Sequence, residues 1–150
     1  MPMTRKEIEA FLAEPRLCHF ATIDAHGRPR VRPLWFLWKD GEFWLTTRLK
    51  ARHTGRDLAT SPWVALSVAS EDRPYRAVIA HGRPELVERT EDLLLAIATR
   101  YGEGDGRRWA GRALEEPDRV VMRIVPETLL SWDYRREGTE GAKGTSLHRT

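Results

Sequence analysis

A chain of 150 residues with 41% apolar and 31% charged residues is sized and composed for one soluble domain. No apolar run approaches the ~20 residues of a membrane span, and Met-Pro-Met-Thr-Arg-Lys-Glu at the N-terminus lacks the apolar core of a signal peptide. A cytoplasmic location with no membrane partner is therefore expected. The one cysteine, Cys18, excludes an internal disulfide and a Cys-rich zinc site, so no metal is expected.

The formal net charge is +3. Residues 135–150 hold Arg135, Arg136, Lys143 and Arg149 against Glu137 and Glu140, so +2 of that charge sits in the tail. The body is nearly neutral, which argues against a nucleic-acid partner.

Thr4 and Glu7 form a capping-box pattern ahead of Ile8, Phe11 and Leu12, which predicts a helix ended by Pro15. Leu17 to Ile23 reads as a strand, Asp24-Ala25-His26-Gly27 as a hairpin turn, and Arg28 to Trp38 as the return strand. The apolar end of that strand predicts cover on both faces. Lys39-Asp40-Gly41 turns into a third strand, Glu42 to Thr47. From Thr47 to Thr60 alternation stops, and a loop followed by a short helix is expected. Trp63 to Ser70 and Tyr75 to Val87 read as strands, the second bent at Gly82.

Thr90 starts a helix carrying Leu93, Leu94, Ile97 and Tyr101, and Arg107 to Leu114 has the pattern of another turn or two. Arg119 to Val125 and Leu129 to Tyr134 are the last strands expected. Alternation puts Leu130, Trp132 and Tyr134 on one face of the final strand and Leu129, Ser131 and Asp133 on the other, with Arg123 a candidate partner for Asp133. The fold class is mostly β with inserted helices. Residues 1–135 form the domain, and residues 136–150 are a disordered tail by composition.

Most catalytic signatures are absent: there is no G-x-G-x-x-G, Walker loop, G-x-S-x-G or H-E-x-x-H. Cys18, in an apolar strand, reads as a buried structural cysteine. Two segments carry chemistry. The first runs Thr46-Thr47-Arg48-Leu49-Lys50-Ala51-Arg52-His53-Thr54-Gly55-Arg56-Asp57-Leu58. Its hydroxyls and cations at the start of a short helix suit a phosphate, although a solvated basic loop has the same composition. The second is Arg32-Pro33-Leu34-Trp35-Phe36, a strand against which a flat ring can lie, or a core strand with ordinary aromatic packing.

These segments are ordered as Ala-Thr-Ile-Asp-x-x-Gly-Arg-Pro at 21–29, Pro-Leu-Trp-Phe at 33–36 and Asp-Gly-x-x-Trp-Leu-Thr-Thr at 40–47. The cationic segment, Leu-x-x-x-Pro-x-Val-Ala-Leu-Ser-Val at 58–68 and Pro-Tyr-Arg-Ala-Val at 74–78 follow. In that order the chain resembles the flavin-binding split barrels of the pyridoxamine 5′-phosphate oxidase-like superfamily. It is similar in particular to the branch that includes deazaflavin (coenzyme F-420) dependent reductases.

The resemblance implies a six-stranded antiparallel split β-barrel of Greek-key type and a homodimer with cofactor sites between subunits. It implies FMN or F-420 as cofactor, with Arg32, Pro33, Leu34 and Trp35 along the ring. Thr46, Thr47, Lys50, Arg52 and Thr54 fall around the ribityl chain and phosphate. Thr54 stands where family members often carry Lys, which leaves Lys50 or His53 to compensate. Trp132 is a candidate wall for the partner subunit's cofactor. The activity implied is hydride transfer to a small unsaturated or aromatic substrate. No catalytic side chain is assigned, and Tyr75, Tyr134 or a water are candidate proton donors. A dimer that binds flavin, F-420 or haem without turnover is the alternative. The ending Leu-Ser-Trp-Asp-Tyr-Arg-Arg lacks the Arg-x-Pro region of the vitamin-salvage oxidase, so that activity is not expected.

Overall fold

A computed structural model describes residues 2–102, 106–136 and 145–148. Helix α1 (Arg5–Leu12) starts at a complete capping box: the Glu7 N–H donates to Thr4 Oγ1 (3.3 Å) and the Thr4 N–H to Glu7 Oε1 (3.2 Å). Strands β1 (Cys18–Ile23) and β2 (Pro29–Leu34) form the first hairpin, and β3 (Phe36–Lys39) and β4 (Glu42–Arg48) the second. A 3-10 turn (Ala51–His53) leads into α2 (Thr54–Thr60). Then come β5 (Val64–Ala69), β6 (Arg76–Gly82), β7 (Pro84–Val87), α3 (Glu91–Ala98), α4 (Gly106–Glu115), β8 (Arg119–Ile124), β9 (Thr128–Asp133) and β10 (Thr145–His148).

The strands make two antiparallel sheets, one in the order β10-β9-β6-β5-β1-β2 and the other β3-β4-β8-β7. Where the sequence suggested one six-stranded barrel, the described residues form an open pair of sheets. Each of the two long strands expected from alternation divides between them. The segment 28–38 leaves the first sheet at Trp35, and 75–87 leaves it at Arg83. Gly82 marks the second crossing: a Cβ there would stand 2.9 Å from the Val125 carbonyl oxygen, so the bend needs glycine.

The core lies between the sheets. Phe20, Leu66, Val68 and Val78 face Phe36, Phe43, Leu45, Met122 and Ile124, and Ile8, Phe11 and Leu12 of α1 close one end. A second cluster packs Leu94, Ala110 and Ala113 of the α3–α4 insertion on Val121. At the apolar end of the 28–38 segment Leu34 and Phe36 are buried and Trp35, Leu37 and Trp38 half-buried, whereas in its alternating start Val31 is 66% exposed.

One further expectation is corrected. Asp133 is fully buried and pairs with Arg135 (2.7 Å), whereas Arg123 lies in the other sheet and pairs with Glu85 (3.0 Å). In the tail, Thr145–His148 pairs antiparallel with β9. The reason is the edge that β9 otherwise presents, a row of unpaired backbone groups open to another strand. The rest of that tail, 137–144 and 149–150, lies outside the described residues.

Cys18 is completely buried, and desolvation holds its thiol well above the ordinary range despite a backbone hydrogen bond from Ser67. The thiolate is the reactive form. Native protein at pH 8 is therefore expected to take up no iodoacetamide label over the time in which urea-unfolded protein labels fully; mass spectrometry reads the difference, and rapid native labelling would contradict the burial.

Candidate functional site

A cavity of about 420 Å³ opens where the chain crosses from β2 to β3, between that crossing, the end of β4, the 3-10 turn and the α4–β8 corner. Its size is that of small-ligand sites. It has two ends of different character. Leu17, Pro33, Leu34, Trp35 and Trp109 give one apolar, aromatic wall. Thr46, Thr47, Arg48 and Arg52 give the other hydroxyl and guanidinium groups. Arg119 stands in both, lining the cavity with its guanidinium carbon 5.4 Å from the Trp109 ring centre.

The aromatic wall is fixed from behind. Trp35 stacks on Tyr101 (centroids 5.0 Å apart, planes 7° apart) and meets Trp109 at 5.0 Å and 49°. The Tyr101 hydroxyl accepts from the Phe36 N–H (3.0 Å) and donates to the Arg16 carbonyl (2.8 Å), which ties the stack to the crossing. Burial raises its pKa above the ordinary tyrosine value, against the pull of the Phe36 backbone and Arg100, so it stays a protonated structural group. Arg100 donates to the carbonyls of Leu12 and Glu14 (2.8 Å each) and of Phe36, fastening α1 to the same place.

The cationic end is held by two networks, the first of them buried. In the first, Asp57 accepts from the Thr22 hydroxyl (2.7 Å) and pairs with Arg30 (3.0 Å) and Arg32 (3.5 Å). Arg32 also donates to Thr22 (2.7 Å) and to the Arg52 carbonyl (3.0 Å). Desolvation lowers the Arg32 pKa from its usual value, and Asp57 opposes that. Arg52 and His53 are both left-handed, with φ of 52° and 60°, a conformation strained for non-glycine residues. The Arg32 bond to the Arg52 carbonyl, and the contact of the Gly55 N–H with the Leu49 carbonyl (2.9 Å), hold the turn in that shape.

In the second network Asp118 accepts from Arg48 (3.0 Å) and the Lys50 N–H (3.2 Å), while Glu116 takes Arg48 at 2.8 Å and Arg119 at 3.1 Å. Burial alone would raise Asp118. The bonds from Arg48 and Lys50 outweigh it and hold the carboxyl below the usual range.

Of the residues singled out in the sequence, Pro33, Leu34, Trp35, Thr46, Thr47 and Arg52 line the cavity. Arg32 does not: at 3% exposed it faces inward and positions the turn. Thr54 is 1% exposed and donates its hydroxyl to the Ala51 carbonyl, so it shapes the turn from inside. Lys50 and His53 face an adjacent pocket with Arg56. Trp132 sits half-buried on the outer face of β9, outside the cavity of its own chain. Tyr75 and Tyr134 meet in a separate shallow pocket with Arg73 and Pro74. Sequence reasoning missed Leu17, Ala51, Trp109 and Arg119 in this cavity.

Comparison with known proteins adds the family. The family model described as pyridoxamine 5′-phosphate oxidase matches residues 4–133. The chain belongs to this family. Among curated relatives, a heme oxygenase, HutZ, of Vibrio cholerae is 29% identical over 128 residues, covering 81% of this chain and 71% of that protein. Among solved structures, the conserved hypothetical protein Rv2991 of Mycobacterium tuberculosis is 27% identical, with a TM-score of 0.73 and 93% of each chain covered. An F420 reductase is 30% identical, with a TM-score of 0.64, covering 81% of this chain and 94% of the other. No helix among the described residues of this family member is long and apolar enough to cross a membrane.

Removing one partner of a buried ion pair leaves the other charge uncompensated, at about 3–5 kcal/mol. Asp57→Ala is expected to lose that much in urea unfolding; a loss under 1 kcal/mol would show that the Arg30–Arg32–Asp57 network does not hold the fold. Asp118 titrates below the ordinary carboxylate value of ~3.9 when folded, so its contribution is complete above that value and is lost as pH falls through the folded pKa. Asp118→Asn should therefore melt lower than the parent by a constant interval above about pH 5. The interval should close in stronger acid. An interval that does not narrow at all as the solution is acidified would contradict the linkage.

Proposed function

We propose that this chain is a flavin- or deazaflavin-binding oxidoreductase that works as a homodimer, its cofactor being FMN or F-420. The observation that carries the reading is the two-ended cavity. An aromatic wall of rigidly backed tryptophans suits a flat ring, and the Thr47 hydroxyl with the Arg48 and Arg52 guanidiniums suits a phosphate-bearing tail. Thr46 donates its hydroxyl to the Val120 carbonyl (2.9 Å), whereas Thr47 has no hydrogen-bond partner among the described residues and is open to a ligand. Bound there, a flavin or deazaflavin ring supplies hydride chemistry for a small unsaturated or aromatic substrate. The chain's part is to position: Trp35 and Trp109 set the plane of the ring, Arg52 anchors the tail, and the crossing at Trp35 shields one face from water.

The homodimer rests on apolar surface that one chain leaves uncovered. None of the six tryptophans is fully buried within the chain, and Trp63 is 45% exposed. The outer face of the larger sheet carries Val31, Ile23, Leu130 and Trp132, and it runs to the cavity rim at Pro33. A second copy seated on this face would bring its Trp132 toward the ring, as the sequence suggested.

A binding protein without turnover, for haem or for a flavin, is the second reading. The likeness to the heme oxygenase HutZ favours haem. Against haem in this cavity, no histidine, cysteine, methionine or tyrosine lines it among the described residues, so an axial iron ligand would have to come from elsewhere.

The absorption spectrum of the purified protein and fluorescence titrations with FMN and F-420 test the ring; binding of neither at micromolar concentration would sink the reading. Reduction of the bound ring, followed by reoxidation by an acceptor, separates enzyme from binder. Arg52→Ala is expected to weaken FMN by about 1.5–3 kcal/mol and riboflavin little. Sedimentation at the 17.3 kDa monomer mass would end the dimer model.

A further inference from the structure

We propose that Arg119 is a ring-recognition residue: its guanidinium lies over Trp109 in the cavity wall and meets an acceptor atom on the edge of the ligand's ring, not the phosphate. The proposal rests on the ring-binding reading above and adds a specificity element to it.

The guanidinium is held by two contacts, and the backbone beneath it by a third residue. Its Nη2 donates to both oxygens of Glu116 (3.1 Å each), and its carbon stands 5.4 Å from the Trp109 centroid. Arg89 donates to the carbonyls of Glu116 and Arg119 (2.9 Å to the latter), pinning the backbone that carries both side chains. Arg119 is only 13% exposed, so little side-chain entropy remains to be lost on binding. Its donors are nonetheless unevenly used. Nε is buried with no partner, and Nη1 has no hydrogen-bond partner among the described residues. A largely desolvated cation satisfied on one edge by a single carboxylate is a receptor for a second acceptor.

Arg119 shares Glu116 with Arg48 and stands opposite it across the β4–β8 pairing, and its own contacts set it apart from the phosphate-end arginines. Arg52 is exposed on the turn, and Arg48 is half-exposed and drawn to Asp118. Arg119 instead belongs to the aromatic wall through Trp109, which itself packs on Trp35. A ring resting on Trp35 and Trp109 would bring its edge to the free side of this guanidinium. The ligand class is a planar heterocycle with carbonyl or imide acceptors in its plane, and the cation favours one whose ring gains negative charge on reduction.

The test pairs each ring with and without its phosphate: FMN against riboflavin, and F-420 against the phosphate-free deazaflavin. Whichever pair the wild-type protein binds is titrated, by fluorescence, into Arg119→Gln, Arg119→Lys and Arg52→Ala. Arg119→Gln is expected to lose at least tenfold in affinity for both members by the same factor, whereas Arg52→Ala loses affinity for the phosphorylated member alone. Arg119→Lys keeps the charge and so the fold, but cannot lie flat with a free donor edge; it is expected to lose at least threefold for both members. It decides the matter if Arg119→Gln does not fold. Unchanged affinity for the phosphate-free ring in either folded variant overturns the proposal, as does a loss confined to the phosphorylated member. If wild type binds no member of either pair, the ring-binding reading itself fails and takes this one with it.

Discussion

The buried guanidinium of Arg32 organises the site without lining its cavity. A cation 3% exposed has given up its water, and the fold must return acceptors to it. Those acceptors come from three places: the Thr22 hydroxyl on β1, the Asp57 carboxylate on α2, and the Arg52 carbonyl on the turn between β4 and α2. The larger sheet, the short helix and the left-handed turn are thereby fixed relative to one another. Arg52 can face the cavity because its carbonyl is held behind it. That bond, with the Gly55–Leu49 contact and the Thr54 hydroxyl, offsets the strain of two successive left-handed residues.

The aromatic end depends on a different device, the passage of one extended segment from sheet to sheet. Trp35 occupies the single residue between β2 and β3, so it belongs to neither ladder and is free to stack. Tyr101, at the end of the α3 region, fills the space behind it, and Trp109 on α4 completes the wall. The helical insertion between β7 and β8 thus does more than cover Val121; it supplies one side of the cavity.

Local signals carried much of this into the sequence. The capping box at Thr4, the two hairpins, the bend at Gly82 and the Thr90 start all rest on contacts within a few residues, and they stand where expected. The crossing at Trp35 was not legible, because the apolar run 33–38 continues through it with no turn residue; Gly82 announced a bend near Arg83, but not that the chain changes sheets there. The family resemblance set Arg32 along the ring; its side chain faces inward, where the buried Asp57, 25 residues on, holds it. Arg119 and Trp109 were missed because only the pairing of β4 with β8, with Arg48 opposite Arg119, brings them to the hydroxyl segment. The amphipathic stripe of α4 around Ala110 and Ala113 announced a packed helix, but not what it packs beside.

The cations that line the cavity are all arginines, in a chain where arginine outnumbers lysine 21 to 4. Guanidinium does not release its proton in the range where proteins work, and no histidine lines the cavity among the described residues. The positive charge offered to a ligand is accordingly constant from mild acid to mild alkali. Across that range the described residues lining this cavity contribute no proton switch, and a phosphomonoester passing through its second ionisation near ~6 would be the party that changes. Occupancy in a cell would then follow ligand supply and ligand charge, with this pocket acting as a fixed electrode.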